Sequence, residues 1–255
     1  MSISILSAVK DREEHFLRSY ESWLSCDCVD EVVVVDWGSD RPISEIIEKE
    51  DRLKIIQVNK GHSKYWAFSQ AFNLAARFAT SDSFVIMNAD EILVEPNQLC
   101  EISAPTDKFY YEGTSWDSEK AHGVYFLYVS KSLFWSINGY HEDLIGYGYE
   151  DVDLRRRLEK EGAELQSCDI KVEHIAHEAS HKSRENMLNY GISWAYPWKE
   201  DTPLISIDFR RDDNDIIHCD IAESDQITHE KMLEREGRAR ALSGLLKIHN
   251  LINGV

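Results

Sequence analysis

The run Glu31-Val-Val-Val-Val-Asp36 constrains this chain most. Consecutive β-branched residues without a polar break suit a strand covered on both faces, and sheets covered on both faces are built from parallel strands joined by helices. The neighbouring sequence supplies the other pieces. Residues 2–9 and 53–58 are apolar strand candidates, and Ser83-Phe-Val-Ile-Met87 is another buried strand. Phe16, Leu17, Tyr20 and Leu24 recur at helical spacing over 13–24. Phe72, Ala75 and Ala76 face inward on a helix over 69–78, and 43–50 fits a short helix. Strands alternating with helices predict an α/β fold with a mostly parallel sheet flanked by helices.

Ligands of such sheets sit beyond the carboxyl ends of the strands. Three polar clusters fall there: Lys10-Asp-Arg12, Asp36, and Asn88-Ala-Asp90. Their shared position predicts a nucleotide site at that edge. From residue 124 the pattern changes. A strand over 124–129, a short helical piece over 132–137, a glycine-punctuated loop and a helix over 150–162 follow one another. An extended stretch over 171–175 leads into His174, His177 and His181. Residues 226–251 read as a charged helix whose late apolar stripe, Leu242, Leu245, Leu246 and Ile248, permits a homodimer. The predicted organisation is one domain over 1–205 with a helical extension over 206–255 packed on it.

Bulk composition narrows the function. Of 255 residues, 43% are hydrophobic, enough for a substantial core. The 28 Lys and Arg face 46 Asp and Glu, a net charge of −18, which argues against nucleic acid and against anionic membrane surfaces as partners. No apolar stretch reaches the length of a membrane span, and the N-terminus reads as a strand without a basic leader. The five cysteines, Cys26, Cys28, Cys100, Cys168 and Cys219, are scattered and odd in number, and free thiols in a reducing cytoplasm are expected.

The chemistry concentrates in the segment 138–158. Its glycines allow tight bends and close backbone approach, and they deliver Glu150 and Asp151 to the start of a helix, where exposed N–H groups favour the anion. Such an acid either serves as a general base toward a sugar hydroxyl or is a plain acidic helix start after a turn.

Four segments, taken in order, resemble nucleotide-sugar glycosyltransferases of the GT-A fold. The likeness is nearest to the β-1,4-galactosyltransferase and chondroitin-polymerase-like group, and extends to glycosyltransferase family 2. They are Arg12-Glu-Glu-His-Phe-Leu17, Trp66-x-x-Ser-x-Ala-x-Asn73, Asn88-Ala-Asp90 in place of Asp-x-Asp, and Gly146-Tyr-Gly-Tyr-Glu150-Asp151-Val-Asp153. The resemblance implies Asp90, His177 and His174 as ligands of Mn²⁺ (or Mg²⁺), with Asn88 lowering the charge of that site. It implies Arg12 on the diphosphate, Asp36 on uracil or ribose, and Trp66 and Tyr147 against nucleotide or sugar. It makes Asp151 the general base, with Glu150 binding hydroxyls and Asp153 capping the helix.

The implied reaction moves a hexose or N-acetylhexosamine from a UDP-sugar to a glycan hydroxyl with inversion. A retaining transferase and a carbohydrate- or nucleotide-binding protein without turnover stand beside it. Asp36 is also suited to the turn before Trp37-Gly38-Ser39, and Trp66 to the core. His174, His177 and His181 recur at spacing that would suit a small zinc site, or a solvated patch. Trp194, Tyr196 and Trp198 either line an acceptor groove or form a buried or edge-strand set.

Overall fold

The computed structural model describes residues 2–115, 126–177 and 183–238. One ten-stranded sheet runs through it. Its centre is the predicted parallel array: β1 (Ile3–Val9) lies between β2 (Val29–Asp36) and β4 (Ser83–Ile86), and β3 (Leu53–Val58) follows β2, all parallel. Within β2, Val32 to Val35 are fully buried and alternate between two cores. Val33 and Val35 join Phe72 and Ala75 of α2 (Phe68–Phe78), whereas Val32 and Val34 join Phe16 and Trp23 of α1 (Glu13–Leu24). Each such side chain contributes about 1.5–3 kcal/mol, so the run secures both layers at once. The segment 43–50 forms only a 3-10 turn, Ile43–Glu45.

Beyond β4 the sheet becomes mixed. With β5 Glu91–Leu93, β6 Phe109–Ser115, β7 Leu127–Ser130, β8 Glu164–His174, β9 Ile207–Arg211 and β10 Ile217–Ile221, the order is β5-β8-β6-β7-β4-β1-β2-β3-β10-β9. β7 pairs antiparallel with β4 and β6, and β5 pairs antiparallel with β8. The short α3 (Lys131–Ser136) is capped by Ser130, whose Oγ accepts from the Leu133 N–H at 3.1 Å. The helices α4 (Glu150–Lys160) and α5 (Ser183–Ala195) follow.

Three expectations are corrected here. The stretch 206–255 is not helical throughout: β9 (Ile207–Arg211) and β10 (Ile217–Ile221) make a hairpin, and β10 extends the sheet parallel to β3. Its buried residues, Ile217, Cys219 and Ile221, alternate with His218 and Asp220, a period short enough to pass unnoticed beside the charged helix. Helix follows over 229–238, and the apolar stripe at 242–248 lies outside the described residues. Trp194 is not on an edge strand but in α5, and Tyr196 and Trp198 follow the helix. The thiols are not all free: Cys28 and Cys100 form a disulfide across 72 residues of sequence, a pairing that spacing alone does not reveal. Among the described residues, no helix is long and apolar enough to cross a membrane.

Candidate active site

The carboxyl end of β4 holds the first half of the site. The chain turns through Asn88 and Asp90 into β5, whose Glu91 is in register with His174 of β8. The Ile175 N–H donates to the Asp90 carbonyl at 2.8 Å. Strand register therefore delivers two histidines to an aspartate far away in sequence. Asp90 Oδ2 lies 3.0 Å from His177 Nε2 and 3.6 Å from His174 Nε2. Burial pushes the Asp90 carboxyl up, but bonding to His174 and the charges of His174 and His177 outweigh it and hold the carboxyl below its usual range. Ligand atoms from Asp90, His174 and His177 all lie within 4.8 Å of one another. One carboxylate and two imidazoles fit a divalent cation of the Mn²⁺ type. Asp90 thus supplies the acid that the histidines lack in sequence, whereas His181 lies outside the described residues.

Two neighbours of this cluster were not singled out from sequence. The His15 ring meets His177 edge-on, with centroids 5.9 Å apart. Burial, followed by the Arg12 charge, lowers the His15 pKa, while Asp90 opposes them. His15 thus links Arg12, at the start of α1, to the Asp90 end. Its signal was present in Arg12-Glu-Glu-His15, one helical turn. The second neighbour is Glu91, fully buried. The Asn88 backbone N–H donates to its Oε2 at 2.7 Å and the Asn88 amide to its Oε1 at 2.9 Å. Asparagine at 88 serves that carboxylate, where an aspartate would set two negative charges together.

The second half of the site is the glycine loop. Asn73 of α2 clamps its beginning: Asn73 Oδ1 accepts from the Tyr140 N–H at 2.8 Å, and its amide donates to the Tyr140 carbonyl at 2.9 Å and to Glu142 at 3.0 Å. A Cβ on Gly139 would come within 2.3 Å of Asn73 Oδ1, so only glycine admits this clamp. Further on, the Gly146 N–H donates to the Trp66 carbonyl at 3.0 Å, tying the two motifs together. Tyr149 takes φ 77°, a left-handed conformation unusual for a tyrosine, immediately before α4 begins. Glu150 and Asp151 occupy the first turn of α4, where the positive end of the helix dipole favours anions.

Arg155 lies one turn on from Asp151 in α4. Glu112 of β6 holds Arg155 through Oε1 at 2.9 Å and Oε2 at 2.8 Å. Burial lowers the Arg155 pKa, but Glu112 and then Asp151 more than restore it. Asp153 does not cap the helix. It is fully buried, accepts from Arg157 Nε at 2.7 Å and Arg156 at 3.1 Å, and takes the Ser193 hydroxyl from α5. Arg157 in turn donates to the carbonyls of Ile137 and Gly139 at 2.8 and 2.7 Å, which fixes α4 beneath the loop.

Tyr147 stands in the glycine loop between Gly146 and Gly148. Its phenol is raised by burial first and then by Glu150, Asp151, Asp90 and Glu91 together. One half-exposed ring therefore senses carboxylates from the strand end and from the helix start. Beside it, Tyr149 packs edge-on against Tyr190 at 5.1 Å and accepts from Trp194 Nε1 at 3.1 Å. Tyr190 and Trp194 share a face of α5 at i, i+4, and Trp194 is 58% exposed. Trp198 instead is buried, donating to the Asn138 carbonyl at 2.9 Å.

Other candidates stand apart. Asp36 is 1% exposed and accepts from the Ser39 N–H at 2.8 Å and the Ile43 N–H at 2.9 Å, one on each oxygen, so it forms the turn after β2. It also borders an open cleft of about 440 Å³ with Gln57, Asn59 and Lys60. Trp66 is partly buried against the core. Lys10 donates to the carbonyls of Trp37, Gly38 and Ser63, leaving Arg12 as the cation of its cluster beside the site. A cavity of about 470 Å³ among Gln70, Glu142, Ile192, Tyr196 and Arg235 is lined by none of Asp90, Glu150 or Asp151.

Known proteins resemble this chain in sequence profile and in fold. The profile of glycosyl transferase family 2 matches residues 4–143, more than half of the chain. A second profile, described as the N-terminal domain of galactosyltransferase, matches residues 108–182. No curated protein sequence matches. Among solved structures, the catalytic domain of Drosophila β1,4-galactosyltransferase 7 in complex with xylobiose is 13% identical, with 86% of this chain and 93% of that chain covered, at a TM-score of 0.54. GalNAc-T7 with UDP, GalNAc and Mn²⁺ is 12% identical over 69% of this chain and 43% of that one, at 0.59. The mannosyltransferase PcManGT from Pyrobaculum calidifontis, with GDP-Man and Mn²⁺, is 13% identical over 74% and 60%, at 0.58. At such identities the likeness establishes the fold, which is GT-A.

Proposed function

Since the chain belongs to glycosyltransferase family 2, we propose that it moves a hexose or N-acetylhexosamine from a UDP-sugar to a glycan hydroxyl with inversion, Asp151 being the general base. The observation that carries this reading is the Asp90, His174 and His177 cluster at the carboxyl edge of the sheet, beside a glycine loop that carries Glu150 and Asp151 and is tied to Trp66 through the Gly146 N–H at 3.0 Å. A proton acceptor and a cation site would then act on one substrate, as a displacement at a sugar carbon requires.

Asp90, His174 and His177 would hold a divalent cation, which when bound neutralises the departing diphosphate as a Lewis acid. Arg12 and the N–H groups opening α1 complement the same anion. Asp151, at the helix start, removes the proton from the attacking hydroxyl. Glu150, buried next to it, orients hydroxyls. Tyr147, Tyr149 and Trp194 offer ring faces to pyranoses. Donor choice rests on the resemblance alone, and the GDP-Man of the Pyrobaculum neighbour makes GDP-mannose the first competitor to include.

The test is a screen of UDP-sugars and GDP-mannose against oligosaccharide acceptors, with Mn²⁺ or EDTA, the anomeric configuration of the product being read by NMR. Inverted product with a UDP-sugar is expected. The variant Asp151→Asn should keep donor affinity and lose roughly 100- to 10,000-fold in turnover. Near-normal turnover in that variant moves the base to another carboxylate, with Glu150 next. Retained configuration removes the base role altogether. Donor binding without any turnover makes the protein a binder.

A further inference from the structure

The cysteines form a second cluster that the transfer reaction does not use. Cys26 and Cys28 lie in the turn between α1 and β2, and Cys100 in the 3-10 turn Pro96–Glu101 that follows β5. Cys26 Sγ is 3.5 Å from Cys28 Sγ and 3.7 Å from Cys100 Sγ. All three sulfurs fall within 4.8 Å of one another. Thiolates on a tetrahedral ion with metal–sulfur bonds of about 2.3 Å sit roughly 3.8 Å apart, close to both distances from Cys26.

The two segments are also held together without any sulfur bond. Asn97 Oδ1 accepts from the Asp27 N–H at 2.9 Å, and the Asn97 amide donates to Asp27 Oδ2 at 3.1 Å. These contacts do not depend on the disulfide. Cys26 is fully buried, while Cys28 and Cys100 reach solvent and leave room for a water as fourth ligand.

We infer that Cys26, Cys28 and Cys100, once the Cys28–Cys100 disulfide is reduced, form a thiolate site for one soft divalent cation, zinc in the first instance. Reduction by a dithiol cleaves the Cys28–Cys100 S–S bond. Two electrons and two protons pass to the protein, and the reductant closes its own disulfide. The cation then displaces the three thiol protons to solvent. Oxidation removes two of its three ligands, so metal and disulfide exclude each other. The site differs in kind from the Asp90 cluster, whose donors are nitrogen and oxygen.

Cobalt(II) is the probe, because thiolate-to-cobalt charge transfer reports sulfur ligation and stays silent at the Asp90 cluster. The full chain, reduced with a dithiol and exchanged into a phosphine reductant, should develop this absorption to saturation at one equivalent and lose it on addition of zinc. The oxidised chain should show none. Asp90→Ala and Cys168→Ser should retain the signal, whereas Cys26→Ser and Cys100→Ser should lose at least 10-fold in cobalt affinity. Reduced wild-type protein without charge transfer overturns the site, whatever the variants do. A signal unchanged in Cys26→Ser overturns this ligand set. Transferase activity enters none of these readouts, so failure here leaves the proposed function standing, and the converse.

Discussion

The carboxyl ends of β2 and β4 carry aspartates in equivalent places, and the two residues do different work. Asp36 is sealed, with each oxygen taken by a backbone N–H. Asp90, 17% exposed, faces two imidazoles from a strand and loop that approach from across the sheet. The same contrast recurs within one helix turn. Asp151 is partly exposed beside Tyr147, while Asp153, rotated by about 200°, is buried among Arg156, Arg157 and Ser193. Position in the topology shows where a ligand can sit. The set of partners already spent on a carboxylate shows whether it is available.

The largest effect should come from Asp90. Asp90→Ala should weaken metal-dependent activity by roughly 100-fold or more while leaving the unfolding midpoint nearly unchanged, as measured by activity against Mn²⁺ and by thermal melts. A large loss of stability would put Asp90 in the same class as Asp36. Asp153→Ala should do the reverse. Removing one partner of a buried ion network costs about 3–5 kcal/mol, so urea unfolding should report severe destabilisation.

Glu142 sharpens the distinction through pH. It accepts from Asn73, from the Ile205 N–H at 2.6 Å, and faces Arg77 at 3.8 Å. Burial nonetheless pushes its carboxyl from 4.5 up to about 7. A folded pKa above the unfolded one means that the folded state holds the proton more tightly. Its stabilising contribution is thus full below pH 4.5 and lost as pH rises through about 7. Glu142→Gln should flatten the stability profile over that window by about 3 kcal/mol relative to wild type, read from urea unfolding at several pH values. A parallel pair of profiles would show that Glu142 does not titrate there.

The smallest effect is expected at Asp36. Asp36→Ala leaves two N–H groups of a tight turn without acceptors and should cost about 2 kcal/mol, with UDP affinity unchanged by calorimetry. Unchanged stability with lost UDP affinity would break the comparison and return Asp36 to nucleotide binding.

Much of this was legible in the chain because it depends on local order. The valine run of β2 needs apolar cover on both sides whatever surrounds it, and the helices that cover it carry their own 3.6-residue period. The glycines before Glu150 announce a close turn because they alone bend the backbone without a side-chain penalty, and the structure adds that a side chain at Gly139 would collide with Asn73. Less legible were features made by pairing at a distance. The hairpin of β9 and β10 has few apolar residues to announce it, and Tyr190 and Trp194 match at helical spacing only once α5 is known to continue through them.

By itself the sequence determined the parallel core, the edge where chemistry gathers, and the acidic helix start, since each follows from the preferences of neighbouring residues. The family resemblance grouped Asp90, His174 and His177, and the tertiary structure alone decided how β5 and β8 bring them together, that Asn88 serves Glu91, that Asp36 holds the turn after β2, and that Cys100 joins Cys26 and Cys28. Strand register and loop docking set those meetings, and they are fixed by the packing of the whole sheet rather than by any short stretch of chain.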